Sequence, residues 1–560
     1  MSEQMTSRWG RLSALLAIGC ALGCEPRANP QTIDSQTNWL RSCSADSQCG
    51  DAKCLCGVCT SPCMDDSMCS ERRGAECVTA KEDGAIAQCR GARPPAAGLC
   101  MPRCDDENPC ASKQMCVAGV CTPVPTPTAS VTVDTLSMHQ MLVGFGATVA
   151  YGEDEITSHP QKDALADALF PEVGLDILRL RDKFEHTGDD NLMLSKRLLD
   201  AATASLGHKP TLFMTSWSPP AALKANKDVQ CSGNADTCTL ARNASNEFDY
   251  AGFASFIRRS LDAYAAVDIV PDYFGIQNNP NWLPTAAELG EACRFLPTEG
   301  SVTVPVKGVS TTVQYPGYDK AQAATVQALE GLGALPRILA PETSDFASVA
   351  DYVPNLDFTE VEALSHHLYG VDPENLDTTA LAAIGALAAD NSRPIFQTEM
   401  QADGFGTTLF LHYTTVVEGA SAYIQQTLTG SATGPTANPQ ALVGLGANNF
   451  TRQDPYYAFQ HYALHTDPGW MRVDAKSDSD TLLASAWLSP SGYELTVVLV
   501  NAGTTDIDMK LSLANGGFTS SVVTRTVFNA AERAAELGHL SKEGILTLPP
   551  QAVVTVWFRP

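Results

Sequence analysis

Two different spacings of apolar residues divide the chain beyond about residue 131. Within 250–264, five apolar residues recur every three or four positions: Phe253, Phe256, Ile257, Leu261 and Tyr264. This spacing predicts a helix with one buried face. Beyond about residue 472 apolar residues alternate with polar ones, and the clearest run is Ile507, Met509, Leu511 and Leu513. Alternation is typical of strands with one buried face, so we expect a β-sandwich over 472–560.

Between these limits, short apolar strands alternate with amphipathic helices. The predicted strands are 141–149, 176–181, 211–217, 273–278, 337–340, 361–366, 394–398 and 420–424. Eight strand–helix units favour an α/β fold, a (β/α)8 TIM barrel over 131–471. A doubly wound sheet is the competing arrangement. It would need a Gly-x-Gly-x-x-Gly motif after a strand to bind a dinucleotide, and the sequence shows none.

The N-terminal part of the chain has a different composition. Of 19 cysteines, 14 lie between Cys43 and Cys121, an even number that predicts seven disulfides in an exported chain. The segment has few large apolar residues, so cross-links must substitute for a core. The spacing of Cys54, Cys56 and Cys59 would also suit zinc, but export and the lack of histidine favour disulfides. We expect a disulfide-rich module over 25–121 that acts as a spacer or contact surface.

Two shorter segments flank this module. Residues 1–24 have a basic start and an apolar run over 12–22, which is an export signal rather than a membrane span of about 20 apolar residues. Gly-Cys pairs ending at Cys20 and at Cys24 each resemble a bacterial lipoprotein signal, in which the cysteine is acylated. We expect a cell-envelope lipoprotein or a secreted protein. Alternating prolines over 122–130 predict a semi-rigid linker before the barrel.

Charge and composition limit the partners. The chain has 63 acidic and 37 basic residues, a net charge of −26 that speaks against nucleic acid. With 44% hydrophobic and 18% charged residues, wholesale disorder is excluded. Contact with a membrane is expected only through an N-terminal lipid.

The ends of the predicted strands carry the candidate chemistry, because barrel enzymes place reactive residues there. Three runs are distinctive: Trp217-Ser-Pro-Pro220, Gln277-Asn-Asn-Pro280 and Gln397-Thr-Glu399. In this order, and with Pro468-Gly-Trp-Met-Arg-Val473 before the sandwich, they resemble glycoside hydrolase family 30 over about residues 131 to 560. The resemblance implies a barrel joined to a β-sandwich and a retaining β-glycosidase that acts on β-linked sugars of a polysaccharide. It implies no metal and no cofactor.

The resemblance also implies a nucleophile, Glu399. A retaining glycosidase pairs this carboxylate with a second carboxyl group about 5–5.5 Å away, which protonates the leaving oxygen. At the position of that acid this chain has Asn279. An amide cannot give up a proton, and losing a general acid costs about 10²- to 10⁴-fold, less where the leaving group departs unaided.

Three outcomes follow from Asn279. The protein is a catalytically silent carbohydrate-binding barrel, a slow enzyme, or an enzyme in which another carboxyl group acts as the acid. By chain position the candidates for that acid are Glu288, Glu291 and Glu342.

Other family positions are retained, and the resemblance gives each a role. Asn278 would contact the sugar hydroxyl beside the reacting carbon, and Trp217 would form an aromatic wall of the sugar pocket. Arg179 would balance the charge of Glu399, and His367 and Tyr369 would bind substrate or nucleophile.

Five further residues complete the sequence-based picture. At the eighth strand Gln425 and Gln426 stand where the family often has tryptophan, so the pocket floor is expected to differ. Cys231 and Cys238 are expected to pair at the barrel rim, and Cys293 is expected to remain a buried thiol.

Overall fold

The computed structural model describes residues 38–560 except 42, 44, 56, 73, 79–97, 106–107, 109, 111–113, 118, 286 and 435–436. The predicted signal and the lipidation at Cys20 or Cys24 lie outside the described residues. Within the described part of the chain, no helix is both long enough and apolar enough to cross a bilayer.

Eight parallel strands close into a barrel, which confirms the predicted (β/α)8 fold. We number them in chain order: β1 Gly144–Val149, β2 Ile177–Asp182, β3 Thr211–Ser216, β4 Tyr273–Gly275, β5 Arg337–Thr343, β6 Val361–His367, β7 Ile395–Met400 and β8 Ala422–Gln425. Each pairs with the next, and β8 closes on β1 with Ala422 opposite Gly144.

The α-helices are Glu153–Thr157, Lys162–Leu169, Leu192–Leu206, Tyr250–Ala265, Tyr318–Leu329, Val349–Tyr352, Thr378–Asp390, Gly404–Tyr413 and Asp454–Ala463. In Tyr250–Ala265 the predicted apolar face is buried, and the Asp249 side chain caps the helix by accepting from the Gly252 N–H at 2.9 Å. Gly404–Tyr413 continues as a π-helical turn over Thr414–Glu418.

Apolar side chains form one buried cluster in the barrel interior: Ile177, Phe213, Tyr273, Leu339, Ala363, Phe396, Ala422 and Ile424. Side chains alternate along a strand, so the residue two positions beyond each of these faces the same interior, nearer the C-terminal ends. On β2, β3 and β4 those next residues are Arg179, Thr215 and Gly275. The candidate site therefore begins directly above an apolar floor.

Nine strands form the C-terminal sheet, in the spatial order Glu532–Gly538, Ser520–Val527, Ala552–Arg559, Leu495–Asn501, Leu482–Leu488, Met471–Ser477, Ala129–Met141, Ile507–Leu513 and Ile545–Leu548. All nine contribute to one buried apolar cluster, so the sheet folds over itself as the expected sandwich. The strand Ala129–Met141 hydrogen-bonds within this sheet, although residues 131–141 fall in the range predicted for the barrel.

The N-terminal module is held by disulfides, as expected. Six pairs are described: Cys43–Cys54, Cys49–Cys59, Cys63–Cys77, Cys69–Cys100, Cys104–Cys116 and Cys110–Cys121. The remaining two cysteines of the module, Cys56 and Cys89, lie outside the described residues. In the barrel Cys231 pairs with Cys238, and Cys293 is the free cysteine of the described residues and is buried.

The module and the barrel loops contain further short strands. In the module they are Lys53–Leu55, Val58–Thr60, Pro62–Cys63, Ala75–Val78, Gly98–Pro102, Gln114–Val117 and Val120–Pro123. In the barrel loops they are Gln230–Cys231, Gly290–Glu291, Gly300–Val306, Val309–Tyr315, Thr429–Ser431, Val443–Leu445 and Phe450–Arg452.

Candidate active site

Arg179, on β2, lies at the centre of the candidate site and is fully buried. Its Nη1 donates to Glu399 Oε2 at 2.7 Å, and its Nη2 donates to Asn278 Oδ1 at 2.7 Å and to Glu342 Oε1 at 3.2 Å. Burial alone would lower the pKa of Arg179, but the carboxylates of Glu342 and Glu399 outweigh burial and raise it. One guanidinium therefore joins the ends of β2, β5 and β7 and the residues that follow β4.

Glu399, near the end of β7, receives hydrogen bonds on both carboxylate oxygens. Tyr369 donates its hydroxyl to Oε1 at 2.9 Å, and Arg179 donates to Oε2. With the Gln426 amide turned so that its nitrogen faces the carboxylate, that nitrogen lies 3.0 Å from Oε1 and 3.1 Å from Oε2. The side chain of Glu399 is 3% exposed. The carboxylate thus sits in a fixed ring of donors below the barrel mouth.

His367, at the end of β6, is buried beside this carboxylate. Its Nδ1 lies 3.8 Å from Glu399 Oε1, and neither ring nitrogen has a hydrogen-bond partner among the described residues. Burial, and then the neighbouring Arg179 cation, lower the pKa of His367 well below its usual value. His367 is accordingly a neutral ring that can offer a hydrogen bond to a ligand. The adjacent His366 faces away and bonds Glu418 at 2.6 Å, as a satisfied core histidine does.

Asn279 follows β4 in a left-handed backbone conformation with φ of 49°. Its N–H donates to the Glu342 carbonyl at 3.0 Å, and its carbonyl accepts from the Trp282 N–H at 2.9 Å. The side-chain Oδ1 is buried and has no hydrogen-bond partner among the described residues. Both backbone groups therefore fix the residue, while its amide oxygen is left without a partner in the described structure.

Trp217 follows β3 at the mouth of the barrel and is half-buried. Its ring meets the edge of the exposed Tyr151 ring, with centroids 6.0 Å apart and planes at 82°. Gln277 donates from Nε2 to the Trp217 carbonyl at 2.8 Å and so ties the ends of β3 and β4 together. The indole N–H has no partner in the described part of the chain.

Glu342, near the end of β5, is the most enclosed of the three candidate replacement acids. Its side chain is 0% exposed, and Oε1 accepts from Arg179 and from Thr215 Oγ1 at 3.3 Å. Gly275 makes room for it, since a Cβ on that residue would lie 1.7 Å from Glu342 Oε2. Burial raises the pKa of Glu342, and Arg179 offsets part of that rise.

The other two candidate acids lie farther out. Glu291 Oε1 accepts from Arg181 Nη1 at 2.7 Å and from the Tyr151 hydroxyl at 3.0 Å. Glu288 is exposed and closes a turn, accepting from the Thr285 N–H at 2.9 Å. Neither contacts Arg179, so the sequence-predicted acids separate into one buried against Arg179, one at the rim and one on the surface.

Most sequence-predicted site residues lie together. Arg179, Asn278, Tyr369 and Glu399 form one hydrogen-bonded network, with His367 against it. Sequence reasoning missed the contact of Gln426 with Glu399 and the cavity that Gly275 leaves for Glu342. The replacement of the eighth-strand tryptophan by amides was the only available sign of the first, and nothing along the chain indicated the second.

Solved structures with this fold include glycoside hydrolases. The family 30 subfamily 8 xylanase Xyn30A from Clostridium acetobutylicum matches with a TM-score of 0.57 at 19% identity, over 77% of this chain and 100% of its own. A conserved exported protein from Bacteroides fragilis matches with a TM-score of 0.60 at 14% identity, over 76% and 100%. An endo-β1,6-glucanase matches with a TM-score of 0.54 at 13% identity, over 78% and 96%.

These matches confirm the fold similar to that of glycoside hydrolase family 30 that the sequence predicted. No protein-family model matches the chain, and no curated protein matches it. At identities below 20% these matches establish the fold alone, because one fold can carry many different activities.

Proposed function

We propose that the protein is an exported, retaining β-glycoside hydrolase-like protein directed at β-linkages of a polysaccharide, with Glu399 as nucleophile. The observation that carries this proposal is the seating of Glu399 at the C-terminal end of β7. There Arg179 donates to one of its oxygens at 2.7 Å and Tyr369 to the other at 2.9 Å. These contacts aim a carboxylate at the barrel mouth, where barrel enzymes bind their substrates.

The neighbouring residues would then bind the sugar. Asn278 is held by Arg179 and presents its amide beside the nucleophile, and neutral His367 has ring nitrogens free of other partners in the described structure. Trp217 offers an aromatic surface at the mouth, which suits the apolar face of a pyranose. Asn279 occupies the position of the acid, so turnover of an ordinary sugar–sugar linkage is slow.

Covalent trapping tests the nucleophile directly. A 2-deoxy-2-fluoro-β-glycoside with a dinitrophenyl leaving group should add one fluoroglycosyl mass to the peptide that contains Glu399. Glu399→Gln should abolish labelling and hydrolysis, whereas Glu288→Gln, at an exposed acid, serves as the matched control and should retain both. Labelling of another residue, or equal hydrolysis by Glu399→Gln, would refute the proposal.

A second function, a catalytically silent carbohydrate-binding protein, is favoured by a different observation. The Gln426 amide lies over both oxygens of Glu399, and a carboxylate covered by donors is a poorer nucleophile. In this case glucan or xylan fragments should bind in calorimetry with equal affinity to wild type and to Glu399→Gln. Trp217→Ala should weaken that binding, and no hydrolysis should depend on Glu399.

The rest of the chain would export and display the barrel. Residues 1–24 would be the signal, 25–121 a disulfide module that acts as a spacer and 122–130 a linker, with a lipid on Cys20 or Cys24. Disulfides are typical of proteins that fold in oxidising compartments. Incorporation of labelled palmitate in Cys20→Ser and Cys24→Ser variants would identify the acylated cysteine, and absence of label in wild type would indicate secretion.

A further inference from the structure

We infer that the efficient substrates of this site are β-glycosides whose leaving group is an acidic, uncharged alcohol such as a phenol. The inference rests on the proposed function, because it takes Glu399 as the nucleophile, and it specifies the substrate class. The site has a complete nucleophile half and an incomplete acid half. Such a site favours glycosidic bonds that break without protonation of the leaving oxygen.

The nucleophile half is complete in its contacts. Glu399 has Arg179 and Tyr369 on opposite oxygens, at 2.7 and 2.9 Å, and the guanidinium is itself fixed by Asn278 at 2.7 Å. A carboxylate positioned in this way needs no further group to attack an anomeric carbon.

The acid half lacks a proton donor at Asn279. The backbone N–H and carbonyl of this residue are bonded to Glu342 and Trp282, which fixes its backbone directly after β4. An amide side chain can accept or donate a hydrogen bond but cannot transfer a proton to a leaving oxygen. Its buried Oδ1, without a partner among the described residues, is free to accept from a hydroxyl of the substrate.

The three acids named from the sequence do not replace it. The side chain of Glu342 is 0% exposed and its Oε1 is occupied by Arg179 and Thr215, so a leaving group that enters from the barrel mouth does not reach it. Glu291 is occupied by Arg181 and Tyr151 at the rim, at 2.7 and 3.0 Å. Glu288 is bound to its own turn on the surface.

Bond breaking then proceeds without acid catalysis. A Glu399 oxygen forms a bond to the anomeric carbon while the bond from that carbon to the leaving oxygen breaks. The electron pair of the broken bond leaves with the oxygen as a phenolate, which takes a proton from solvent. Water later attacks the glycosyl–Glu399 ester, the carboxylate is released and the proton of the water goes to solvent. Neither step needs an acid or a base from the protein, because both protons are exchanged with solvent.

The charges of the site favour an uncharged leaving group over a phosphate or a carboxylate. Arg179 is shared between Glu399 and Glu342, and Arg181 bonds Glu291 and Asp189. Both site arginines are therefore matched by carboxylates, and the whole chain carries a net charge of −26. An anionic aglycone would be repelled by these carboxylates, and neither arginine is free to compensate its charge.

The experiment measures kcat/KM for one sugar with 2,4-dinitrophenyl, 4-nitrophenyl, phenyl and methyl as leaving groups. For the wild type we expect kcat/KM to fall steeply from dinitrophenyl to phenyl, whose alcohol has a pKa of about 10. Asn279→Glu should reduce the ratio between these two substrates by about 10²- to 10⁴-fold. Because a glutamate in left-handed backbone is strained, a second measurement accompanies this variant: the wild-type pH profile of kcat/KM should lack a descending alkaline limb.

The outcomes separate the inference from the function on which it rests. Hydrolysis that depends on Glu399 but varies by less than about tenfold between dinitrophenyl and phenyl would overturn the inference alone, since an acid would then be acting. An alkaline limb in the wild-type profile would do the same. Absence of any release that depends on Glu399, across glucosides, xylosides and fucosides, would overturn both.

Discussion

Arg179 and Glu399 form an ion pair with Nη1 and Oε2 2.7 Å apart, and their side chains are 0% and 3% exposed. The same guanidinium reaches Glu342 Oε1 at 3.2 Å. One buried cation thus serves two buried carboxylates from β5 and β7. Removing it would leave both without a counter-charge, which costs far more than losing a surface pair.

We expect Arg179→Met to lower the free energy of unfolding by about 3–5 kcal/mol and to abolish turnover. Adding Glu342→Gln should recover part of the stability, because one of the two uncompensated carboxylates is then neutral. Urea denaturation of both variants measures this coupling. Lys196→Met is the control, since Lys196 pairs with the 60% exposed Asp200 on a helix surface and should cost less than about 1 kcal/mol.

Retention of wild-type stability by Arg179→Met would contradict this account. It would mean that the carboxyl groups of Glu342 and Glu399 share a proton and need no cation. Loss of stability without recovery in the double variant would place the main interaction at Glu399 alone.

The absence of a side chain at Gly275 gives a second prediction. Its Cβ would lie 1.7 Å from Glu342 Oε2 and 2.9 Å from Thr215 Cγ2. Gly275→Ala should therefore cost at least about 1–3 kcal/mol and displace Glu342, and through it Arg179. The unfolding temperature and kcat/KM should fall together.

Two variants control this prediction. Gly333→Ala places a methyl group where no atom lies within 4 Å, and it should change stability by less than about 0.5 kcal/mol. Gly275→Ala combined with Glu342→Ala should be more stable than the sum of the single effects, because the clash is then removed. Additive costs would show that the strain lies elsewhere.

The parts of the molecule that follow from local pattern could be predicted from the sequence. Buried parallel strands are short apolar runs, so all eight barrel strands were found, and Arg179 and Glu399 were placed at strand ends. Strand partners follow from long-range packing, which alternation does not encode. For that reason residues 131–141 were included in the predicted barrel, whereas the strand Ala129–Met141 pairs with Met471–Ser477 and Ile507–Leu513.

The finer chemistry of the site escaped prediction for the same reason. The ends of β5 and β7 meet at Arg179 only after the barrel closes, so Glu342 could be named as a candidate but not placed on the same guanidinium as the nucleophile. Gln426 was noted as an amide in place of a tryptophan. Its position over both oxygens of Glu399 depends on how β8 leaves the barrel, which no short-range pattern determines.

The central position of Ala129–Met141 predicts a sharp truncation boundary. A chain that begins at residue 125 keeps this strand and loses residues 1–124, among them the disulfide module, which touches the sheet through a small cluster around Met115 and Ile545. It should unfold within a few degrees of the full chain. A chain that begins at residue 142 lacks the strand between Met471–Ser477 and Ile507–Leu513 and should not fold, although it retains every barrel strand.

Thermal unfolding and limited proteolysis of the two chains would decide this point. Val131 and Val133 are 0% exposed in the full chain, so their loss opens the sandwich core. A stable, protease-resistant chain from residue 142 would show that the barrel does not need the sheet. Failure of the chain from residue 125 would give the disulfide module a structural role.

The last prediction concerns acid stability and His461, which fastens the helix Asp454–Ala463 to the sheet. Its ring nitrogens lie 2.8 Å from Thr555 Oγ1 and 2.9 Å from Thr526 Oγ1, and burial lowers the pKa of His461 to about 3. In the unfolded chain a histidine has a pKa of about 6.5. Between these values the unfolded state binds a proton that the folded state does not, so the free energy of unfolding falls as the pH falls. The slope is up to about 1.4 kcal/mol per pH unit for this group.

His461→Gln removes the group that takes up this proton in the unfolded chain. The amide that replaces it can still donate and accept hydrogen bonds. Between pH 7 and pH 5 we expect the variant to lose about 2 kcal/mol less stability than the wild type. Other buried histidines, such as His412, are present in both proteins and cancel in the comparison. The exposed His208→Gln is the matched control and should show the pH dependence of the wild type. If His461→Gln shows that dependence as well, the pKa of His461 does not differ between the folded and the unfolded chain, and burial does not keep the ring neutral.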